Sequence, residues 1–108
     1  TKKLIFIIEE FTTFYYHQFD LDRKALAPLY RDESMLTFET TSVKGAKDIV
    51  EKLGSLPFSK VKHDVATLDA QPSGAHGGIL ILVTGRLLLE EEERPMSYTQ
   101  VFQLIPDG

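Results

Sequence analysis

The chain predicts an α+β fold, with helices first and a mainly antiparallel sheet afterwards, the helices packing on one concave face of that sheet. Three observations lead there. The first segment carries apolar side chains at helical spacing, three later segments read as strands, and turn-rich joints separate those strands.

Leu4, Ile7, Ile8, Phe11, Phe14, Tyr15, Gln18 and Phe19 follow i, i+3, i+4 steps, which lays a broad apolar stripe along one face of a long first helix. Ile5 and Phe6 fall off that stripe. LIFII is therefore either the first turn of this helix, apolar all round, or a strand, with the helix preferred because it continues into FTTFYY. FDLDRKALAPLY offers Asp22 as the N-cap of a short second helix, and Pro28 marks a new turn. SMLTFET alternates, Met35, Thr37 and Glu39 against Leu36 and Phe38, and reads as a first strand. From Gly45 to Leu53, Ala46, Ile49, Val50 and Leu53 share a helical face, Lys47 and Glu51 pair at i, i+4, and Gly54 supplies the stop.

VKHDVATLDA, GGILILVTGRLLL and MSYTQVFQLI are the remaining strands, joined by QPSGAHGG and EEEERP. The long apolar middle run suits a strand covered on both faces, and the helices can cover only one. A second subunit is the natural other layer. The expected homodimer forms through Ile79 to Leu89 and Ser97 to Ile105, with Met96 at the interface.

A length of 108 residues, 43% hydrophobic and 26% charged, fits one compact domain spanning residues 1–108. The net charge of −4 argues against nucleic acid as the main partner, because such domains usually carry a basic patch. Zero cysteines remove disulfides and thiolate metal sites and fit a reducing compartment. The apolar run LIFII is too short for a signal peptide or a membrane span.

No Gly-rich phosphate loop or Ser/His/Asp spacing occurs, and His17, His63 and His76 lack the spacing of a helical metal site, so neither metal nor cofactor is expected. His63 beside Asp64 is a weak acid/base candidate, since neighbours on a strand point to opposite faces. A structural, hydrogen-bonded imidazole is the commoner case. LLLEEEERP concentrates Glu90 to Glu93 in one turn. On composition such a run is more often a solvated tip than a recognition surface.

The strings FYYHQFD, LYRDESMLTFE, GAKDIVEKLGSLPF, DAQP and SYTQVFQLIPDG, from about Phe11 to Gly108, closely resemble the nuclear transport factor 2 family, particularly its fungal members. The resemblance implies a homodimer of cone-shaped α+β subunits, each with a long N-terminal helix and two shorter helices on a curved, mainly antiparallel sheet. It implies a carrier, not an enzyme, that takes the GDP form of the small GTPase Ran through the nuclear pore, between cytoplasm and nucleus, binding FxFG-repeat nucleoporins on the way. In that family a hydrophobic cavity accepts an aromatic side chain from Ran, and rim carboxylates meet flanking basic residues. The matching positions are Phe38 for the wall and Glu39, Glu90 and Glu92 for the rim, with Glu91 and Glu93 as neighbours. The aromatic that helps the family bind FxFG repeats matches Leu4, two residues before Phe6. The family pattern also continues past IPDG with a strand whose aromatic lines the cavity, a strand that residues 1–108 lack.

Two other functions fit the same fold class. One is a small-molecule isomerase or dehydratase, which needs an ionisable group deep in the cavity, where the strand residues are mostly Met, Leu, Phe and Ile. The other is the dimerisation module of a larger scaffold or mRNA-export protein.

Overall fold

The computed structural model describes residues 2–56, 60–90 and 94–106. Helix α1 spans Lys2–Leu21, a 3-10 helix spans Arg23–Leu29, and α2 spans Ala46–Gly54. Five strands complete the α+β fold: β1 (Met35–Phe38), β2 (Thr41–Lys44), β3 (Val61–Ser73), β4 (Gly78–Leu89) and β5 (Met96–Leu104). β1 and β2 form an antiparallel hairpin, and β3-β4-β5 form a separate antiparallel sheet in that order.

LIFII lies within α1, so the helical reading holds and the strand alternative does not. The segment is apolar all round because only part of it meets the core. Ile8 is buried and Leu4 half-buried, whereas Ile5, Phe6 and Ile7 face solvent. Farther along, Tyr15, Tyr16 and Phe19 sink into the core from the same face. Asp22 caps the 3-10 helix as expected, its carboxylate accepting from the Lys24 N–H at 3.1 Å. Leu26 of that helix is fully buried, worth about 1.5–3 kcal/mol for one apolar side chain. The Arg23 guanidinium donates to the Leu53 carbonyl at 3.0 Å, and the Tyr15 and Tyr30 hydroxyls meet at 2.5 Å, which ties the three helical elements together.

β2 was absent from the sequence reading. TSVK is short and polar apart from Val43, too little for a period to show. Its partner makes it a strand: Phe38 pairs with Thr41 across a two-residue turn, Glu39-Thr40, with φ of 48° and 71°. Two positive values in succession are the geometry of a tight hairpin turn normally made by Asn or Gly. Glu39 is thus a turn residue and does not continue the strand.

A bulge explains why VKHDVATLDA alternates only loosely. Up to Val65 the odd positions pair with the inward residues of β4, Val61 with Leu89 and His63 with Leu87. Ala66 is the extra residue, after which even positions point inward, Leu68 opposite Val83 and Ala70 opposite Ile81. Gly85 sits opposite this bulge. A Cβ there would lie 2.3 Å from the Asp64 carbonyl and 2.9 Å from the Tyr98 ring, so only glycine fits.

The core fills the space between the helices and the inner face of the large sheet, with Ile49, Leu53, Ile81 and Val83 at its centre. Met96 belongs to this inner side, because it pairs with Leu87. Its expected place on the outward, subunit-facing side is therefore corrected: the run starts one register position away from that face. The outward side of β4 and β5 presents Leu80, Leu82, Leu88 and Val101, all exposed in the single chain.

Candidate functional site

A cavity of about 440 Å³ opens between the β1 hairpin, the end of α2 and the inner face of the large sheet. Its wall is apolar: Phe19, Leu36, Phe38, Leu53, Leu56, Val61 and Leu87 contribute. Leu36 and Phe38 reach it because alternate residues of β1 share the inward face. The Lys52 ammonium lies over the Phe38 ring, 5.9 Å from its centroid, a weak cation–π contact at the cavity edge.

The polar groups of the cavity cluster around His63, Tyr98 and Gln100. His63 Nδ1 and Asp20 Oδ1 are 2.7 Å apart, and the His63 backbone N–H donates to Asp20 Oδ2 at 3.0 Å. Both carboxylate oxygens are engaged. An ionised carboxylate can only accept, so Nδ1 is the donor of this contact. The imidazole stacks on Tyr16 at 4.1 Å and meets the edges of Phe19 and Tyr98 at 4.9 and 5.3 Å, leaving its side chain 6% exposed. The Tyr16 hydroxyl donates to Gln100 Oε1 at 2.8 Å. The Tyr16 and Tyr98 phenols are close neighbours, and the Tyr98 hydroxyl is buried. Burial pushes the Tyr15, Tyr16, Tyr30 and Tyr98 phenols above their ordinary value, and the neighbouring Tyr98 hydroxyl raises Tyr16 further.

The site residues named from the sequence fall in three groups. Phe38 is in the cavity wall, and Glu39 follows it directly in the exposed turn. Glu90 follows the end of β4, beside Lys60, its carboxylate 3.9 Å from the ammonium, and Lys60 precedes Val61 of the wall. Both partners are largely exposed, so this pair is worth little. Glu91, Glu92 and Glu93 lie outside the described residues. Leu4 packs against the core and Phe6 is 63% exposed, and neither borders the cavity.

The His63–Asp64 pairing was rightly doubted: Asp64 turns to the opposite face, where the Arg86 guanidinium donates to it at 3.0 Å. The true partner, Asp20, was missed. It lies on the last turn of α1, far away in sequence, and only the packing of that helix across β3 brings the two together. The same contact sets one ionisable side chain, His63, among the mostly apolar residues of the cavity. Among the described residues, no cluster of three or more His, Asp or Glu could hold a metal ion.

A family model, nuclear transport factor 2 (NTF2) domain, matches residues 7–108. Nuclear transport factor 2 of Emericella nidulans is 67% identical over 102 residues, covering 94% of this chain and 82% of that protein. The Saccharomyces cerevisiae protein of the same name is 60% identical over 102 residues with the same coverage. Among solved structures, nuclear transport factor 2 from Cryptosporidium parvum superposes with a TM-score of 0.87 at 38% identity, covering 94% of this chain and 81% of that one.

Proposed function

Because the chain belongs to the nuclear transport factor 2 family, we propose that it is a nuclear import carrier that binds the GDP form of the small GTPase Ran and moves it between cytoplasm and nucleus through the pore. The observation that carries this reading is the apolar cavity with Phe38 in its wall and carboxylates close by in sequence and space. In the proposed complex an aromatic side chain of Ran fills the cavity, and Glu39, Glu90 and Glu92 meet the basic residues beside it. A buried aromatic anchor supplies most of the affinity of such an interface, while rim charges select the partner and speed encounter. The relatives are named as transport factors, which supports transport, and the role asks for no chemistry in the cavity.

The same reading includes a homodimer and weak contact with FxFG-repeat nucleoporins. Leu80, Leu82, Leu88 and Val101 form an uncovered apolar face that stacking on a second copy would bury. The exposed Phe6 and the neighbouring Leu4 are the proposed nucleoporin contacts. Retention on immobilised Ran, loaded with GDP in one arm and GTP in the other, tests the proposal. Selective retention by the GDP form is expected, and retention by neither form would overturn it.

A further inference from the structure

We propose that Met35 is an oxidation site that tunes docking at the cavity, its sulfoxide weakening the seating of an apolar guest there. The inference rests on the carrier reading for the identity of that guest, the aromatic side chain of Ran.

The chain has no cysteine and two methionines, so sulfur oxidation falls on Met35 and Met96 alone. Both are open to solvent, Met35 being 65% and Met96 52% exposed. A hydroperoxide in solution therefore reaches either thioether. The sulfur lone pair attacks one peroxide oxygen, an S–O bond forms as the O–O bond breaks, and the departing hydroxide takes up a proton to leave as water. Sulfur loses two electrons and the peroxide gains them. Methionine sulfoxide reductases return the product to the thioether, so the change is reversible.

Position separates the two residues. Met35 opens β1 and lines the cavity together with Leu36, Phe38 and Leu87, whereas Met96, at the start of β5, pairs with Leu87 without lining it. Met35 is thus both reachable from solvent and part of the surface that an entering side chain would cover. A thioether suits that place, because it is flexible, polarisable and favourable against an aromatic ring. The sulfoxide is polar, with an oxygen that is hydrogen-bonded to water in the free protein. An aromatic guest that covers it removes the water and offers no donor in return, a penalty the thioether does not incur.

The test measures affinity for Ran-GDP before and after hydrogen peroxide treatment of wild type, Met35→Leu and Met96→Leu, with the peroxide removed before Ran is added. Mass spectrometry locates the added oxygen, and circular dichroism checks that the fold is kept. Oxidised wild type should bind roughly fivefold or more weakly than untreated wild type. Met96→Leu should lose affinity on oxidation by the same factor and Met35→Leu by less than about twofold, each against its own untreated form. Methionine sulfoxide reductases A and B should restore the binding of oxidised wild type. Affinity unchanged by conversion of Met35, a Met35 that resists peroxide, or an equal loss in Met35→Leu would each overturn the proposal. These outcomes leave the carrier reading standing. Failure of untreated wild type to bind Ran-GDP would sink that reading and this inference with it.

Discussion

Glu39 and Thr40 hold an unusual backbone for their chemistry. A β-branched residue at φ 71° is a steric outlier, and such geometry costs on the order of 1–3 kcal/mol unless the surroundings impose it. Pairing of β1 with β2 imposes it here, because the type I′ connection formed between these right-twisted strands has positive φ at both positions. Thr40→Gly should therefore stabilise the protein by about 1 kcal/mol, read as a higher urea midpoint at unchanged slope. A lower midpoint would mean that the turn is not as described. The change leaves the Glu39 side chain in place, so any Ran affinity should be unaffected.

At the level of elements, Gly85 couples the bulge to the cavity. Any side chain there meets the Asp64 carbonyl on one side and the Tyr98 ring on the other, so neither β3 nor Tyr98 can stay where it is. Gly85→Ala should cost about 2 kcal/mol or more in denaturant unfolding, the scale of an overpacked core site. A loss under about 0.5 kcal/mol would show that the bulge can shift freely. The elements also differ in how readily the sequence disclosed them. The α1 stripe, the Asp22 cap and α2 declare themselves by local spacing, since each is decided within a few residues. β2 could not, because TSVK is a strand only by virtue of the hairpin partner. The bulge at Ala66 broke the period of β3, and Met96 was assigned to the wrong face because register is set by pairing with Leu87. Of the site, Phe38 and its acidic neighbours were legible through family likeness, whereas the Asp20–His63 contact depends on how α1 crosses the sheet.

For the whole molecule, the four buried or half-buried tyrosines give stability a dependence on alkaline pH. Each folded-state phenol is raised above its unfolded value near 10, so the neutral form is what the fold favours. Their contribution is complete below about pH 10 and declines as pH climbs beyond it. With Tyr15 and Tyr16 both neutral when folded, unfolding free energy should fall by about 2.7 kcal/mol per pH unit once the unfolded phenols ionise. Urea unfolding at about pH 9 and pH 11 checks this, and equal stabilities would contradict the burial of these hydroxyls.

Assembly belongs to the same scale. Leu82 is 41% exposed on the outward face of the central strand, so Leu82→Glu should leave the single-chain fold nearly intact and convert a dimer into monomer. Sedimentation at micromolar concentration distinguishes the two. A wild type that is already monomeric would refute the proposed stacking of two sheets.

Recognition of Ran by the cavity and its carboxylates is tested most directly by calorimetric titration with Ran-GDP. Wild type should bind Ran-GDP. Glu39→Lys should abolish measurable binding, because like-charge repulsion at a docked interface costs several kcal/mol. Glu33→Lys, an equal charge change at another exposed position, should bind as wild type does, with both variants melting within a degree or two of it. Equal affinity for wild type and Glu39→Lys, or no binding of Ran-GDP by the wild type, would contradict the central claim.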